Sequence, residues 1–281
     1  MGELIEAIVV GVVQGLTEFI PVSSSAHLAL APWMLGFDDG GVVGTLAFDV
    51  FLHLGTLVAL LVYFARDWVR LLTAFVASVR ERRIGADEDR RFVWLLIAAT
   101  IPAALIGLTL EDLIEAVFHS EEDGARLAIA GFMVIGAIGL WAADRYGSRH
   151  RRPEGITLPV ALLIGLSQAA ALMPGISRSG ATITAGLALG LTRESAARFS
   201  FLLATPITFG AGVYGSRDLF TGPMATTEWG AVGAGFLASM LSGLLAIGFL
   251  LAWLRSRSVT AFSLYRLGFA AVVVLLVAIG R

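Results

Sequence analysis

Long apolar stretches alternate with short polar connections along most of the chain. Five of them carry no charged residue at all, and they comprise residues 92–110, 127–143, 156–176, 199–216 and 229–254. A helix that spans the hydrocarbon core of a bilayer needs about 20 mostly apolar residues, so several of these stretches are long enough to cross. The pattern therefore predicts an all-α integral membrane protein.

The composition indicates the same class of protein. Of 281 residues, 57% are hydrophobic and only 15% are charged, and the mean hydropathy is +0.83. The 32 glycines favour close approach between membrane helices and leave room for a homodimer. Cysteine is absent, which excludes disulfides and thiolate chemistry. The N-terminus lacks the features of a secretory signal, so we expect mature protein from the first residue, and we expect no nucleic-acid partner.

The arginines predict the orientation of the chain in the membrane. All 20 basic side chains are arginine, with seven in residues 66–91 and four in residues 145–152, and such clusters are typical of cytoplasmic loops. Residues 111–124 hold six acidic side chains and no arginine, which places them outside. The resulting topology has six crossings, at about 45–65, 92–110, 126–144, 196–215, 229–254 and 259–280.

Two apolar pieces, residues 2–36 and 156–192, are left over by this topology. Each has polar residues and a proline in its middle, and each must enter and leave on the same side of the membrane. Broken helices of this kind occur where the backbone is buried in protein or lines a wet cavity. Aligned on Pro21 and Pro174, the two pieces resemble each other weakly. We therefore predict a single membrane domain of six transmembrane helices plus two re-entrant helical hairpins, in an inverted-topology repeat with units of about 1–144 and 156–281. Such repeats place their site near the midplane.

The first hairpin carries candidate metal ligands and one part of an anion site to which both hairpins contribute. Gln14 and Glu18 are four residues apart, so they share one face of a helix. Pro21 breaks that helix, and the residues after the break supply hydroxyls and backbone N–H groups at the start of the next one. These candidate substrate-binding residues are Ser23 and Ser25, with Ser24 and His27 beside them.

The second hairpin repeats this pattern with a guanidinium added. After Pro174 it supplies Gly175, Ser177, Arg178 and Ser179 as candidate substrate-binding and catalytic residues.

Glu18 and Arg178 would each cost about 2.5–3.5 kcal/mol alone at the bilayer centre, so we expect them to share one site. One interpretation is a structural ion pair. In the other, Arg178 binds phosphate oxygens while Glu18, with Gln14, holds Mg²⁺ or Ca²⁺.

Ser24 and His27 are close enough across a helix start for one to activate the other. We expect Ser24 to be the nucleophile and His27 to assist it, while direct attack by His27 or by an activated water stays open. Asp49 and His53, one helical turn apart, are either a structural pair or lie behind the site. Glu194 and Arg198 are predicted to pair within their helix.

Four runs of residues resemble, in order and spacing, the undecaprenyl-diphosphatase family of bacteria, also called bacitracin resistance proteins. They are QGLTEFIPVSSSAHL, FDVFLHLGTLVAL, PGISRSGATI and FSFLLATP, and together they cover nearly the whole chain. The family's glutamate motif matches Gln14 to Glu18, its serine and histidine match Ser24 and His27, and its arginine loop matches Ser177 and Arg178. Many members have glutamate where this chain has Gln14, and Ser-Ser-Thr-Gly-His in place of the run that ends here at His27.

The resemblance implies an enzyme that hydrolyses undecaprenyl diphosphate to undecaprenyl phosphate with help from a divalent cation. This reaction recycles the lipid carrier for peptidoglycan and other envelope glycans. It also implies a multi-pass protein of the bacterial cytoplasmic (inner) membrane whose site opens to the outer face.

A lipid-carrier flippase or secondary transporter is the alternative, because inverted repeats with broken helices are a transporter architecture. The clustered serine, histidine, glutamate and arginine favour hydrolysis. The acid-phosphatase-like lipid phosphatases require a lysine, which this chain lacks.

Overall fold

A computed structural model of the chain describes residues 2–37, 41–43, 45–118, 123–221 and 229–280. Over these ranges the chain is helical, and the pairing of Arg151 with Leu191 is an isolated β-bridge rather than a strand. The helices are α1 (Gly2–Phe19), α2 (Ser24–Leu35), α3 (Leu46–Tyr63), α4 (Ala65–Glu81), α5 (Glu88–Phe118), α6 (Asp123–Tyr146), α7 (Leu158–Ser167), α8 (Arg178–Ala188), α9 (Arg193–Thr221), α10 (Trp229–Leu254) and α11 (Thr260–Ala278). A 3₁₀ turn at Gln168–Leu172 continues α7.

Within the described ranges, five helices are long and apolar enough to cross a membrane, namely α5, α6, α9, α10 and α11. A sixth span results if α3 and α4 are counted as one, although they are bent by 79° at their junction. Large apolar side chains such as Ile101, Leu105 and Leu108 on α5 are more than half exposed, as expected for a surface that faces lipid. The all-α class and the multi-pass membrane character predicted from the sequence are confirmed.

Both pieces that the topology left over are helix–break–helix hairpins. In the first, α1 ends at Phe19, Pro21 lies in the break, and Ser23 caps the N-terminus of α2 by accepting a hydrogen bond from the Ala26 amide. In the second, Ser177 caps α8 by accepting from the Gly180 amide. The two serines have φ of 79° and 73°, values that residues other than glycine rarely adopt.

The two hairpins are in register on these serine caps rather than on their prolines. Gln14 precedes Ser23 by nine residues, and Gln168 precedes Ser177 by the same nine. The alignment through Pro21 and Pro174 was therefore one residue out, because the strained cap, and not the proline, begins the second helix of each hairpin.

Each hairpin packs its first helix on a span from the other half of the chain: α1 lies along α10, and α7 lies along α5. Glycine allows both contacts. A Cβ on Gly11 would lie 2.4 Å from the Gly235 carbonyl oxygen, and one on Gly165 would lie 1.9 Å from the Ala99 carbonyl oxygen. Each glycine is three residues before the hairpin's glutamine, so the same position makes the same kind of contact twice.

Substituting Gly15 by alanine is expected to destabilise the protein, because the new Cβ would lie 2.0 Å from Ser242 Oγ and 2.3 Å from the Ser239 carbonyl oxygen of α10. Overpacking of this kind typically costs about 1–3 kcal/mol. Thermal unfolding of the purified protein in detergent measures the effect. Gly233→Ala on α10 is the matched control, since nothing lies within 4 Å of its Cβ position. Equal unfolding temperatures for the two variants would contradict the close contact between α1 and α10.

Candidate active site

The tips of the two hairpins meet at Glu18, in the last turn of α1. Its side chain is 7% exposed and accepts hydrogen bonds on both carboxylate oxygens. Arg178 Nη2 donates to Oε1, while Ser24 Oγ donates to Oε2 at 2.6 Å and Gln14 Nε2 donates to Oε2 at 3.1 Å. The structure thus brings together Glu18 and Arg178, which are 160 residues apart in sequence.

His53 of α3 is a further group at this carboxylate. Its Nε2 lies 3.8 Å from Glu18 Oε2, and its Nδ1 donates to the backbone carbonyl of Asp49 at 2.7 Å. The side chain of His53 is 38% exposed, whereas that of Arg178 is 16% exposed, so the site reaches the protein surface at His53. His53 therefore belongs to the site itself.

Two buried polar atoms at the site have no hydrogen-bond partner in the part of the chain that the structure describes. They are Gln14 Oε1 and Arg178 Nη1. An unsatisfied buried polar group costs about 1–3 kcal/mol, and more when it is charged. One acceptor and one charged donor therefore remain free beside Glu18, as a site for a cation and an anion requires.

The helix starts on either side of Glu18 provide further donors. The first amides of a helix have no partner within it, and together with the helix dipole they favour bound anions. In both hairpins the capping serine also contacts the hydroxyl two residues on, Ser23 with Ser25 and Ser177 with Ser179, each at 3.2 Å. Ser179 Oγ further donates to the Ile20 carbonyl at 3.4 Å, which joins the second hairpin to the break of the first.

Gly175 fixes the shape of the second break. Its φ is 103°, and a Cβ there would lie 2.5 Å from the Ile129 carbonyl oxygen of α6. Its own carbonyl accepts a hydrogen bond from Arg266 at 2.7 Å. Gly175 therefore shapes the loop, and its predicted part in substrate binding stays a prediction.

Ser24 and His27 have different partners from those expected. Ser24 donates to Glu18, whereas His27 Nδ1 lies 2.7 Å from the Ser23 carbonyl and Nε2 lies 2.7 Å from the Tyr265 hydroxyl. Because a carbonyl can only accept, neutral His27 carries its hydrogen on Nδ1, and Nε2 accepts from Tyr265. Glu18, rather than His27, is therefore the group beside Ser24 in the structure.

The donor set fits a hard divalent cation. Gln14 Oε1, the Glu18 carboxylate and Ser24 Oγ are oxygen atoms, which Mg²⁺ and Ca²⁺ prefer. No group of three or more histidine, cysteine or acidic side chains that could hold a metal occurs among the described residues. A cation here would take most of its ligands from substrate phosphates and water, as Mg²⁺ often does.

Sequence reasoning missed Tyr265 and Arg266, which approach the two hairpins from α11. Arg266 is fully buried, and an arginine in the middle of an otherwise apolar span was the signal that could have found it.

The predicted pair of Glu194 with Arg198 was wrong. Arg198 donates to both carboxylate oxygens of Asp67 at 2.7 Å, and Glu194 accepts from Arg255 at 3.1 Å. A partner on α4 and one just past the end of α10 took precedence over the neighbour four residues away.

A family model described as bacitracin resistance protein BacA matches residues 7–272. The chain belongs to the BacA family. The match includes the breaks of both hairpins, the second hairpin in full and the part of α11 that contacts them.

Relatives in the BacA family carry the name undecaprenyl-diphosphatase. The chain is 45% identical to the one from Rubrobacter xylanophilus over 273 residues, which cover 97% of this chain and 98% of the relative. It is 43% identical to the one from Pelobacter propionicus over 98% of both chains, and 46% identical to the one from Gemmatimonas aurantiaca over 93% of both.

Proposed function

We propose that this chain hydrolyses undecaprenyl diphosphate to undecaprenyl phosphate and inorganic phosphate. The observation that carries the proposal is the meeting of Glu18 and Arg178 at the hairpin tips, with Gln14 Oε1 and Arg178 Nη1 left free. Relatives that match nearly the whole chain are named for this activity. The product is the lipid carrier of peptidoglycan and other envelope glycans.

The second hairpin provides the main donors that bind the diphosphate. Arg178 Nη1 and the amides at the start of α8 bind oxygens of the terminal phosphate, and the amides at the start of α2 approach from the opposite hairpin. Phosphoryl transfer depends mainly on positioning and on neutralising charge, which these donors supply together.

Ser24 is the nucleophile in this mechanism. Its Oγ attacks the terminal phosphorus, the bond from that phosphorus to the bridging oxygen breaks, and undecaprenyl phosphate leaves. The hydroxyl proton passes to Glu18 Oε2, 2.6 Å away. A carboxylate that also binds arginine is a weak base, but a loose transition state for phosphoryl transfer needs little activation of the nucleophile. The leaving group is itself a phosphate ester, which departs as an anion.

The phosphorylated serine is then hydrolysed. Glu18 first gives the serine's proton to the departing undecaprenyl phosphate, so the carboxylate is ionised again. Water then attacks the phosphorus, its proton passes to Glu18, and Glu18 gives this proton to Ser24 Oγ as the bond from phosphorus to Oγ breaks and inorganic phosphate leaves. His27 does not take a proton in either step, because its Nδ1 donates to the Ser23 carbonyl and its Nε2 accepts from Tyr265.

Gln14 and Glu18 are the residues that would hold a divalent cation, Mg²⁺ or Ca²⁺. Bound there, the cation neutralises charge on the diphosphate oxygens. Gln14 contributes a neutral ligand, so the chain provides one carboxylate at this position rather than two.

The membrane arrangement we propose has six spans, with α1–α2 and α7–α8 as re-entrant hairpins. Units of about 1–144 and 156–281 form the inverted repeat. The crosswise contacts of α1 with α10 and of α7 with α5, and the shared serine caps, support it. The homodimer suggested by the glycine content stays a prediction.

The protein lies in the bacterial inner membrane, with its site facing the outer side. Arginine clusters mark the cytoplasmic end. His53 lies two turns into α3, counted from the opposite end, and is partly exposed beside Glu18, which supports access from outside.

Because the chain lacks cysteine, single cysteine replacements test this orientation directly. A maleimide that does not cross membranes should label Gly230→Cys in intact spheroplasts and label Ala86→Cys only after lysis. The reverse pattern would refute the orientation.

Release of inorganic phosphate from undecaprenyl or farnesyl diphosphate by purified protein in detergent tests the proposed function. We expect turnover with Mg²⁺ or Ca²⁺, loss of turnover after chelation, and recovery when the metal is added back. Glu18→Ala should abolish the activity. Wild-type protein that is folded, as judged by thermal unfolding, but inactive on every prenyl diphosphate would refute the function. Turnover that survives chelation would refute the cation.

Transport of a lipid carrier is the second candidate, favoured by a cavity of about 230 Å³ near the arginine-rich end of α4, α5 and α9. Its lining includes the ion pairs of Arg198 with Asp67 and of Arg70 with Asp89. Detergent separates the two functions, because hydrolysis proceeds there whereas transport requires two compartments.

A further inference from the structure

Arg266 is a fully buried arginine in the second half of the bundle. From α11 its Nε donates to the Met133 carbonyl at 3.1 Å, and its Nη2 donates to the carbonyls of Gly175 at 2.7 Å and Ile176 at 3.0 Å. Gly136 of α6 makes room for this guanidinium, since a Cβ there would lie 2.0 Å from Nη2. The side chain therefore holds the break of the second hairpin by its backbone.

The charge of Arg266 has no carboxylate partner among the described side chains. Its Nη1 lacks any hydrogen-bond partner within them and lies against the first turn of α8, 3.0 Å from the Cβ position of Gly180. A buried charge without a counter-ion is costly in protein and in a membrane. An anion bound at the start of α8 is the group that would offset it.

We infer that Arg266 is a positioning residue for the diphosphate site. It turns the Gly175 and Ile176 carbonyls into the protein, so that the following segment presents its N–H groups and Arg178 to the substrate. Its charge adds to the positive potential at the helix start. This inference rests on the proposed function, and it adds a residue that makes no direct contact with the phosphates.

Tyr265, the neighbour of Arg266 on α11, contacts the first hairpin, as Arg266 contacts the second. Its hydroxyl donates to His27 Nε2, and the ring stacks on that imidazole with centroids 5.7 Å apart. Consecutive residues of one helix therefore reach both hairpins, one through a side chain and one through backbone carbonyls.

Three variants test Arg266. Arg266→Met removes the charge and the hydrogen bonds, and Arg266→Lys keeps the charge but loses the guanidinium geometry. Gly136→Ala keeps the arginine at position 266 but displaces its guanidinium, because the new Cβ would occupy the space of Nη2. We expect kcat/KM to fall roughly 10- to 100-fold in Arg266→Met and Gly136→Ala, and less in Arg266→Lys. Gly139→Ala is the matched control, because its Cβ would make only an ordinary 3.8 Å contact with Thr184.

Binding of a non-hydrolysable farnesyl methylenediphosphonate, measured by calorimetry, separates positioning from stability. Its Kd should rise about as much as kcat/KM falls. Farnesyl monophosphate should be affected less, because it has fewer oxygens at the loop. In an Arg178→Ala background, Arg266→Met should add little further loss, since both act through the same loop.

Unchanged Kd and kcat/KM in folded Gly136→Ala and Arg266→Lys would overturn the inference even if Arg266→Met fails to fold. So would losses confined to the unfolding temperature, or fully additive effects with Arg178→Ala. An inactive wild-type protein would instead contradict the proposed function. Because the Kd measurement needs no turnover, the two failures are distinguishable.

Discussion

Arg178→Ala is expected to lower kcat/KM for undecaprenyl diphosphate by about 1,000-fold or more, the scale seen when an arginine that neutralises a transferring phosphoryl group is removed. In the structure one amino group of Arg178 contacts Glu18 while the other, Nη1, is buried without a partner in the described chain. Alanine therefore removes the hydrogen-bond donor to the phosphate and also removes the ion pair with Glu18. Arg178→Lys should recover part of the loss, because lysine keeps the charge but cannot serve both partners.

Initial rates over a range of substrate concentrations, with the unfolding temperature of each variant, measure this effect. Arg255→Ala is the matched control: this arginine is exposed, pairs with Glu194, and should change the rate less than about twofold. Activity of Arg178→Ala within tenfold of wild type would show that Arg178 is not the hydrogen-bond donor to the phosphate.

The double variant Glu18→Gln with Arg178→Gln separates the functional site from a structural ion pair. Removing one partner of a buried pair leaves an uncompensated charge, whereas removing both is often nearly neutral for stability. If the pair is only structural, the double variant regains both stability and activity. We expect it to regain stability and to stay inactive.

Much of the fold and half of the site could be predicted from local sequence. Apolar stretches of spanning length, a proline between polar residues, and serines at a helix start each act within a few residues of the chain. Glu18 and Arg178 could be brought together as well, because each is costly alone in lipid and the predicted inverted topology would place both hairpin tips near the midplane.

The partners of individual side chains could not be predicted, because they depend on contacts between distant helices. Ser24 donates to Glu18 in the preceding helix rather than to nearby His27. His27 is held by Tyr265, 238 residues away, and Arg198 by Asp67 on α4. Spacing of three or four residues shows which side chains share a face, but not what that face meets.

Register on the serine caps shows how one site was built from two similar hairpins. Ser24 and Arg178 follow their capping serines at the same position, so one hairpin provides the proposed nucleophile and the other the guanidinium. Four residues after the matching glutamines, Glu18 corresponds to Leu172. The two hairpins therefore carry complementary parts, and neither contains the site alone.

Ser24→Ala is expected to reduce kcat by roughly 1,000- to 10,000-fold, because it removes the proposed nucleophile while the side chains of Gln14, Glu18 and Arg178 remain. KM should change little, since the alanine affects the chemical step rather than binding. Ser25→Ala is the matched control. It removes the next hydroxyl of the chain, which contacts Ser23 rather than Glu18, and it should cost less than about tenfold.

The chemistry of the trapped intermediate distinguishes Ser24 from its competitors. Acid quenching during turnover of substrate labelled in the terminal phosphate should leave label on the protein at Ser24, as an acid-stable phosphoserine. Label that is lost in acid but kept in base would identify phosphohistidine and direct attack by His27. No label, together with substantial activity in Ser24→Ala, would identify water as the nucleophile. Ser24 would then be only a hydrogen-bond donor to Glu18. We expect the first result, because among the described residues Ser24 Oγ is the hydroxyl that donates to the Glu18 carboxylate, while both nitrogens of His27 already have partners.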